Sequence, residues 1–452
     1  MHDSRYGVGM VEGSSEGSES DEGSPQPDKG SVGAGTTGRG PFGLSGMGFH
    51  TLDDFDVRGR RVLLRVDINS PVDEKTLRLE DGSKIKSSVP NLRELMDRGA
   101  KVAILAHQGR PGDYDFIPLN EHASYLSQFT GKKVRYVDDI FGPHALRAID
   151  RLGEGEAILL KNVRYFSEEQ ASKSPEEHAQ SQLVKALAPK FDLHVNDAFG
   201  SSHRSHASLV GFTAVLPSAA GRLLEKEIKT LSAVFQNPRR PSTYIFGGTK
   251  FSDAIQAIVK LTDSDKVDHL LVAGLAGYAY LWALGRNIGS KTETRVKKDA
   301  TGEAVSYAKK LFESKGHKIV LPVDAAIEVD GKRVDVSVED IPADAAVLDI
   351  GPMTVRKFQE IILDSRMVFL SGPPGMFERD EFCVGTRGVF EAMVNSGAYC
   401  VIGGGHSSAA ANRLGLTDKI SYVSTGGGAL ERFMLGRPMP VVEALRESAK
   451  RI

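Results

Sequence analysis

The chain has 452 residues, 40% of them hydrophobic and 26% charged, which is enough for two globular domains with separate cores and too long for one. A formal charge of -2 supplies no overall basic field of the kind that nucleic acid or an anionic membrane attracts, so any polyanion must be met by local clusters. No run approaches the roughly 18 apolar residues of a membrane span, no secretory leader opens the chain, and Cys383 and Cys400 are too few for a disulfide framework; a cytoplasmic protein is expected.

Residues 1–48 hold 13 Gly and 8 Ser with acidic runs such as Glu16-Gly17-Ser18-Glu19-Ser20-Asp21-Glu22, and a disordered tail is expected there. Met47 stands immediately before the first structured segment and is expected to be the true start. From residue 61 onward short β-branched runs alternate with helical stretches, the pattern of a mostly parallel sheet covered on both faces. Strands are expected at Arg61 to Asn69, Lys101 to His107, Val134 to Val137, Ala157 to Arg164 and Leu193 to Asp197. Ser174-Pro175-Glu176-Glu177 places Ser at an N-cap, Pro at the first helical position and Glu three residues after the cap. The stretch Gly221 to Phe235 reads as one helix, apolar at Leu223, Leu224, Ile228, Leu231 and Val234 and broken by Asn237-Pro238, and it connects the two halves. The second half repeats the alternation at Thr243 to Phe246, His269 to Val272, Lys318 to Pro322, Ala346 to Ile350, Met367 to Leu370, Tyr399 to Ile402 and Ile420 to Val423. The expected fold class is α/β, two doubly wound parallel-sheet (Rossmann-like) domains joined by a hinge helix.

In open α/β sheets ligands bind beyond the carboxyl ends of the strands, and there the halves differ. The first half offers Asp67 and Asn69, His107-Gln108-Gly109-Arg110, Arg164 and His203-Arg204-Ser205-His206, a set of donors suited to a compact anion bearing carboxylate and phosphate. The second offers glycine-rich turns: Gly247-Gly248-Thr249-Lys250, Ala273-Gly274, Ser371-Gly372-Pro373-Pro374-Gly375, Gly403-Gly404-Gly405-His406-Ser407 and Ser424-Thr425-Gly426-Gly427-Gly428. Such turns, opening into helices, aim bare N–H groups at phosphates. Neither Gly-x4-Gly-Lys-Ser/Thr nor a Gly-x-Gly-x-x-Gly after the first strand occurs, which argues against a P-loop enzyme and a standard dehydrogenase. Singly these features are ordinary: a glycine pair is usually a turn, a lone Arg a solvated charge, and His203 with His206 lacks partners spaced for zinc. Together they imply nucleotide on one domain and an anionic acceptor on the other.

The motifs Arg65-Val66-Asp67-Ile68-Asn69, His107-Gln108-Gly109-Arg110-Pro111, Val195-Asn196-Asp197-Ala198-Phe199-Gly200 with His203-Arg204, Gly247-Gly248-Thr249-Lys250, Ser371-Gly372-Pro373 and Ser424-Thr425-Gly426-Gly427-Gly428 resemble the phosphoglycerate kinase family, in order and spacing, over about Leu52 to Leu445. The resemblance implies reversible transfer between ATP and 3-phosphoglycerate, giving ADP and 1,3-bisphosphoglycerate, with Mg2+ accompanying the nucleotide, and a monomer. It implies 3-phosphoglycerate on Asp67, Asn69, Lys84, His107, Arg110, Arg164 and Arg204. It implies nucleotide on Gly247, Gly248, Lys250, Gly274, Pro373, Glu378, Gly404, Gly405, His406 and Ser407, with Glu378 at the ribose. Lys250, Lys84, Gly427 and Gly428 would carry the catalytic charge stabilisation. The division expected is a tail at 1–48, a 3-phosphoglycerate domain at 49–220, an interdomain helix at 221–236, a nucleotide domain at 237–428 and a segment at 429–452 returning to the first domain.

Three positions depart from the pattern of bacterial and eukaryotic members: Lys84 stands where an arginine is expected, Ala254 where a second phosphate lysine is common, and His406 where an aspartate would hold Mg2+. The last two changes resemble archaeal members. A nucleotide- and phosphoglycerate-binding pseudoenzyme is the alternative reading, and a dehydrogenase on the same fold type is disfavoured by the number of phosphate turns.

Overall fold

The structure, a computed structural model, describes residues 47–263 and 266–452. The expected disorder of the tail falls on residues outside that range, apart from its last two. The first half forms strands β1 (Arg61–Val66), β2 (Lys101–Leu105), β3 (Val134–Val137), β4 (Ala157–Leu160), β5 (Leu193–Asp197) and β6 (Ser218–Ala220). They make one parallel sheet ordered β3-β4-β2-β1-β5-β6. Successive residues of a strand point to opposite faces, and β1 shows it: Val62, Leu64 and Val66 enter one core, Leu63 the other. Helices cover both faces, so the strand is apolar throughout rather than alternating.

The second half contributes β7 (Ser242–Phe246), β8 (His269–Val272), β9 (Ile319–Val320), β10 (Asp324–Val329), β11 (Lys332–Ser337), β12 (Val347–Ile350), β13 (Met367–Ser371), β14 (Tyr399–Gly403) and β15 (Tyr422–Val423). Six of these form a second parallel sheet ordered β15-β14-β13-β7-β8-β9. The run Ala346 to Ile350 does not extend that sheet: β12 joins β10 and β11 in a separate antiparallel sheet. The hairpin turn between β10 and β11 is Asp330-Gly331, both at positive φ (49° and 75°), a conformation that Asp and Gly tolerate and most residues do not. Asp-Gly between two β-prone runs was the available signal for this hairpin.

The helix Arg222–Phe235 crosses between the two sheets. At its start the N–H groups of Leu223 and Leu224 donate to buried Asp197 Oδ1 at 2.8 and 3.1 Å, tying it to the end of β5. Its stripe of Leu224, Ile228, Leu231 and Val234 belongs to the core of the second half, and Tyr244 Oη donates to Val234 O at 2.6 Å. The shorter helix Pro175–Ala179 has the anticipated reciprocal cap, Glu177 N to Ser174 Oγ at 3.2 Å and Ser174 N to Glu177 Oε2 at 2.8 Å.

Past the second sheet, the helix Gly428–Met434 packs Leu430 and Met434 into the second core, so the first part of 429–452 stays with that half. The helix Pro440–Ala449 then lies against the first half, where Val441 N donates to Ser202 O at 3.2 Å and Ser448 Oγ to Leu216 O at 3.5 Å.

Several imidazoles of the first half are held neutral, three of them outside the strand-end loops of β1 and β2. Burial lowers His122 to about 4 and His194 to about 3, and burial with Arg204 nearby lowers His206 to about 3. The unfolded chain titrates near 6.5, so the stability these neutral forms support is complete above that pH and is lost as pH falls toward 4. Each is expected to remove up to about 1.4 kcal/mol per pH unit over that window. Urea denaturation at pH 7, 5.5 and 4.5 should show the decline, and His194→Gln should flatten it; an unchanged slope in the variant contradicts the assignment to His194.

Candidate active site

Each sheet reverses its winding direction once, between β1 and β5 in the first and between β7 and β13 in the second. A cleft opens at the carboxyl ends of strands at such points. Both clefts contribute to one cavity of about 530 Å³, lined from the first half by Asp67, Asn69, Lys84, His107 and Arg204 and from the second by the turns at Gly247–Lys250, Gly403–Ser407 and Gly427–Gly428.

On the first side the chain leaves β1 at Val66, so Asp67 and Asn69 lie in the loop rather than in the longer strand expected. Burial raises the Asp67 carboxyl, but Lys84, His107, Arg65 and a hydrogen bond from Ser201 Oγ (2.9 Å) outweigh it and leave it below the usual carboxylate range. Asn69 Oδ1 accepts from Gly109 N at 2.8 Å, which ties the loops after β1 and β2 together. His107 is buried and held neutral, first by desolvation and then by Arg65, whose Nη2 lies 3.0 Å from its Nδ1. Arg204 lines the cavity, while Arg164 is buried behind it, donating to Gly109 O, with burial and the neighbouring Arg204 lowering it to about 10. Arg110 is exposed and does not line the cavity.

Behind His107 stands Arg65, near the end of β1. It is fully buried, donates from Nε to Ser208 Oγ at 2.8 Å, and Ser208 in turn donates to Glu169 Oε1 at 2.6 Å. In the sequence it is one more residue of a strand, and only the three-dimensional structure shows that its guanidinium supports His107.

On the second side the glycine turns pack on one another. A Cβ at Gly247 would lie 2.5 Å from Gly372 O, and Gly274 adopts φ +58° with a Cβ position 2.6 Å from Gly248 N, so neither position accommodates a side chain. Four helices begin at these turns, at Phe251, Gly274, Gly405 and Gly428, and present free backbone donors. The Ser407 hydroxyl accepts from Gly372 N at 2.9 Å and braces one turn against the next. Lys250 Nζ pairs with Glu431 Oε1 at 3.0 Å and Asp253 Oδ2 at 3.5 Å, the Glu431 hydrogen bond being the main reason its pKa is raised. Glu431 escaped the sequence reading because it lies far along the chain, whereas Asp253 stands only three residues after Lys250. Gly274, Pro373 and Glu378 line an adjoining cavity of about 370 Å³ that shares Gly248, Thr249 and His406 with the first.

The loop Ser424–Gly428 is held at the junction of the halves. Buried Glu227, midway along the crossing helix, accepts from Ser424 Oγ at 2.9 Å and from Thr425 N and Oγ1 at 2.6 and 2.8 Å.

The arrangement is one of converging cations and N–H donors around a space for a short chain of phosphates. The family model for phosphoglycerate kinase matches residues 52–437. The chain belongs to the phosphoglycerate kinase family. It is 43% identical over 403 residues to the phosphoglycerate kinase of Methanothermus fervidus, covering 89% of this chain and 98% of that one. The enzyme of Archaeoglobus fulgidus is 42% identical over 403 residues, covering 88% and 97%. Among solved structures, phosphoglycerate kinase from Pyrococcus horikoshii OT3 superposes with a TM-score of 0.83 at 36% identity, covering 89% of this chain and 100% of its own. The Coxiella burnetii enzyme gives 0.76 at 30% identity, again covering 89% and 100%. The function is therefore that of a phosphoglycerate kinase, a glycolytic transferase of archaeal type, and these relatives offer no support for the pseudoenzyme alternative.

Proposed function

We propose that the shared cavity performs the family reaction with 3-phosphoglycerate held by the first half, its carboxylate being the acceptor, and ATP or ADP held by the second. The observation that carries this is the 530 Å³ cavity itself: Asn69, Lys84, His107 and Arg204 from one sheet face the glycine turns and Lys250 of the other across it. A carboxylate acceptor is already ionised at neutral pH, so the reaction calls for no general base. Phosphoryl transfer then asks for in-line positioning and neutralisation of the equatorial oxygens, supplied by Lys250 and the N–H groups of Gly427 and Gly428. Asp67 and Asn69 would take the hydroxyl and carboxylate end of the acceptor, with Lys84, His107 and Arg204 completing the pocket and Arg110 and Arg164 reaching it on closure. Glu378 would take the ribose hydroxyls.

The ion accompanying the nucleotide is Mg2+ on this reading. Among the described residues no group of three or more His, Cys, Asp or Glu is placed to hold a metal, and Asp253 and Glu431 are engaged with Lys250. The residues present do not form a protein cage for the ion, so phosphates and water hold it and the protein's own donors carry the stabilisation.

Residues 49–220 form the acceptor domain and 237–428 the nucleotide domain on this reading, with 221–236 and the chain after 429 as the two crossings about which the halves close and exclude water. A cytoplasmic monomer is proposed. Among the described residues no helix is long and apolar enough to cross a membrane. A coupled assay of the whole chain with ATP, Mg2+ and 3-phosphoglycerate should show 1,3-bisphosphoglycerate formation that stops when 3-phosphoglycerate is omitted. Binding of both ligands without turnover would reverse the conclusion and point to Lys84, Ala254 and His406.

A further inference from the structure

Residues 372–379 bring Pro373, Phe377 and Glu378 to the cavity of about 370 Å³, yet they form no helix or strand of their own. The separate antiparallel sheet holds them in place. Met376 N donates to Leu348 O of β12 at 2.8 Å, and Arg379 Nη1 pairs with Glu328 Oε1 of β10 at 2.7 Å. Arg333 of β11, its side chain 13% exposed, donates from Nη1 to Glu381 O at 3.0 Å and to Asp349 Oδ2 at 2.9 Å. It also donates from Nη2 to Ile350 O at 3.0 Å and from Nε to Asp335 Oδ1 at 2.9 Å. The buried Asp349 carboxylate lines the cavity and accepts from Gly385 N at 2.8 Å, where the next helix begins. Gly375 passes directly over it, since a Cβ there would lie 2.1 Å from Asp349 Oδ1. Glu328 and Arg333 stand opposite each other in the hairpin, so their side chains leave the same face, and the Asp330-Gly331 turn fixes that register.

We propose that Arg333 is a positioning residue for the nucleotide, bracing residues 372–381 so that Phe377 and Glu378 meet the nucleoside in a preformed site. The inference rests on the assignment of this cavity to the nucleoside in the kinase reading above. A loop with no ladder of its own must otherwise be ordered by the ligand, at a cost to affinity. The guanidinium fork reaches acceptors on three stretches of chain, around Asp335, Asp349 and Glu381, which an ammonium on one nitrogen does not reproduce. Contacts to the nucleoside are remote from the transferred phosphoryl group, so the brace should act on the nucleotide KM and leave kcat alone.

The test measures kcat and KM for ATP and for 3-phosphoglycerate, with Mg2+, in the whole chain and in Arg333→Met, Arg333→Lys and Glu328→Gln, with thermal melting of each to establish folding. Expected in Arg333→Met is an ATP KM higher by roughly fivefold or more, with kcat and the 3-phosphoglycerate KM within about twofold of the parent. Arg333→Lys should recover part of that loss, and Glu328→Gln should show a smaller rise of the same kind. An unchanged ATP KM in folded Arg333→Met, or a parallel rise for both substrates, overturns the positioning role and leaves the kinase reading standing. Should Arg333→Met not fold, the other two variants decide: an ATP-specific rise supports the role and its absence rejects it. A parent that binds ADP without turnover transfers the decision to calorimetry, where weaker ADP binding by the variants supports the brace and equal affinity rejects it. A parent that neither turns over ATP nor binds ADP removes the kinase reading and the inference with it.

Discussion

Lys250→Ala should lower kcat by roughly a thousandfold while 3-phosphoglycerate affinity stays within about twofold. Lys250 follows the turn after β7 and is the side-chain cation that the second half brings to the phosphate end of the cavity, since Ala254, one helical turn on, offers no charge. On the proposed division the acceptor is held by Asp67, Asn69, Lys84, His107 and Arg204 of the first half, so its occupancy should not depend on this lysine. The loss should exceed simple removal of one charge, because Glu431 and Asp253, now partnered by Lys250, would face the nucleotide phosphates uncompensated. Single-turnover kinetics with a fluorescence titration of 3-phosphoglycerate separates the two effects. An equal fall in acceptor affinity would contradict the division of ligands between the halves.

Arg65→Met should destabilise the fold by roughly 3–5 kcal/mol, the cost of leaving a buried charge network without one member. Burial lowers the Arg65 pKa and raises that of Glu169, and each group opposes the shift of the other. Ser208 joins them, accepting from Arg65 Nε and donating to Glu169 Oε1. Removing the guanidinium strands the carboxyl in the core and frees the His107 ring on the cavity side. Chemical denaturation of Arg65→Met, Glu169→Gln and the double variant gives the coupling, and the double variant should recover part of the loss. A cost below about 1 kcal/mol in the single variant would show that the network is not structural.

The parallel alternation was legible because covered strands are short, apolar and β-branched between glycine turns, and the glycine turns were legible because close packing of one turn on another, as at Gly247 and Gly372, demands glycine. What escaped has a common cause. β6 is three residues long with small side chains, too short for periodicity to register. β12 has the composition of its neighbours, and only the Asp330-Gly331 hairpin diverts it into another sheet. Arg65, Glu227 and Glu431 act through partners more than a hundred residues away, at Ser208, Thr425 and Lys250, and no local pattern encodes such a pairing. Arg164 and Arg110 look alike as strand-end arginines, yet one is buried beneath the site and the other exposed beyond it.

The helix Pro440–Ala449 completes the first half after the whole of the second has been made, its Val441, Val442 and Leu445 being buried in the finished molecule. On the ribosome, the first sheet therefore emerges with a surface that waits some two hundred residues for its cover. Apolar side chains such as Val210 and Leu216 near that surface stay open to chaperones or to other nascent chains during the interval. A chain halted after Met434 should accordingly hold the first half in a looser state than the released protein, and the helix Pro440–Ala449 acts as the latch that commits that half to its native packing.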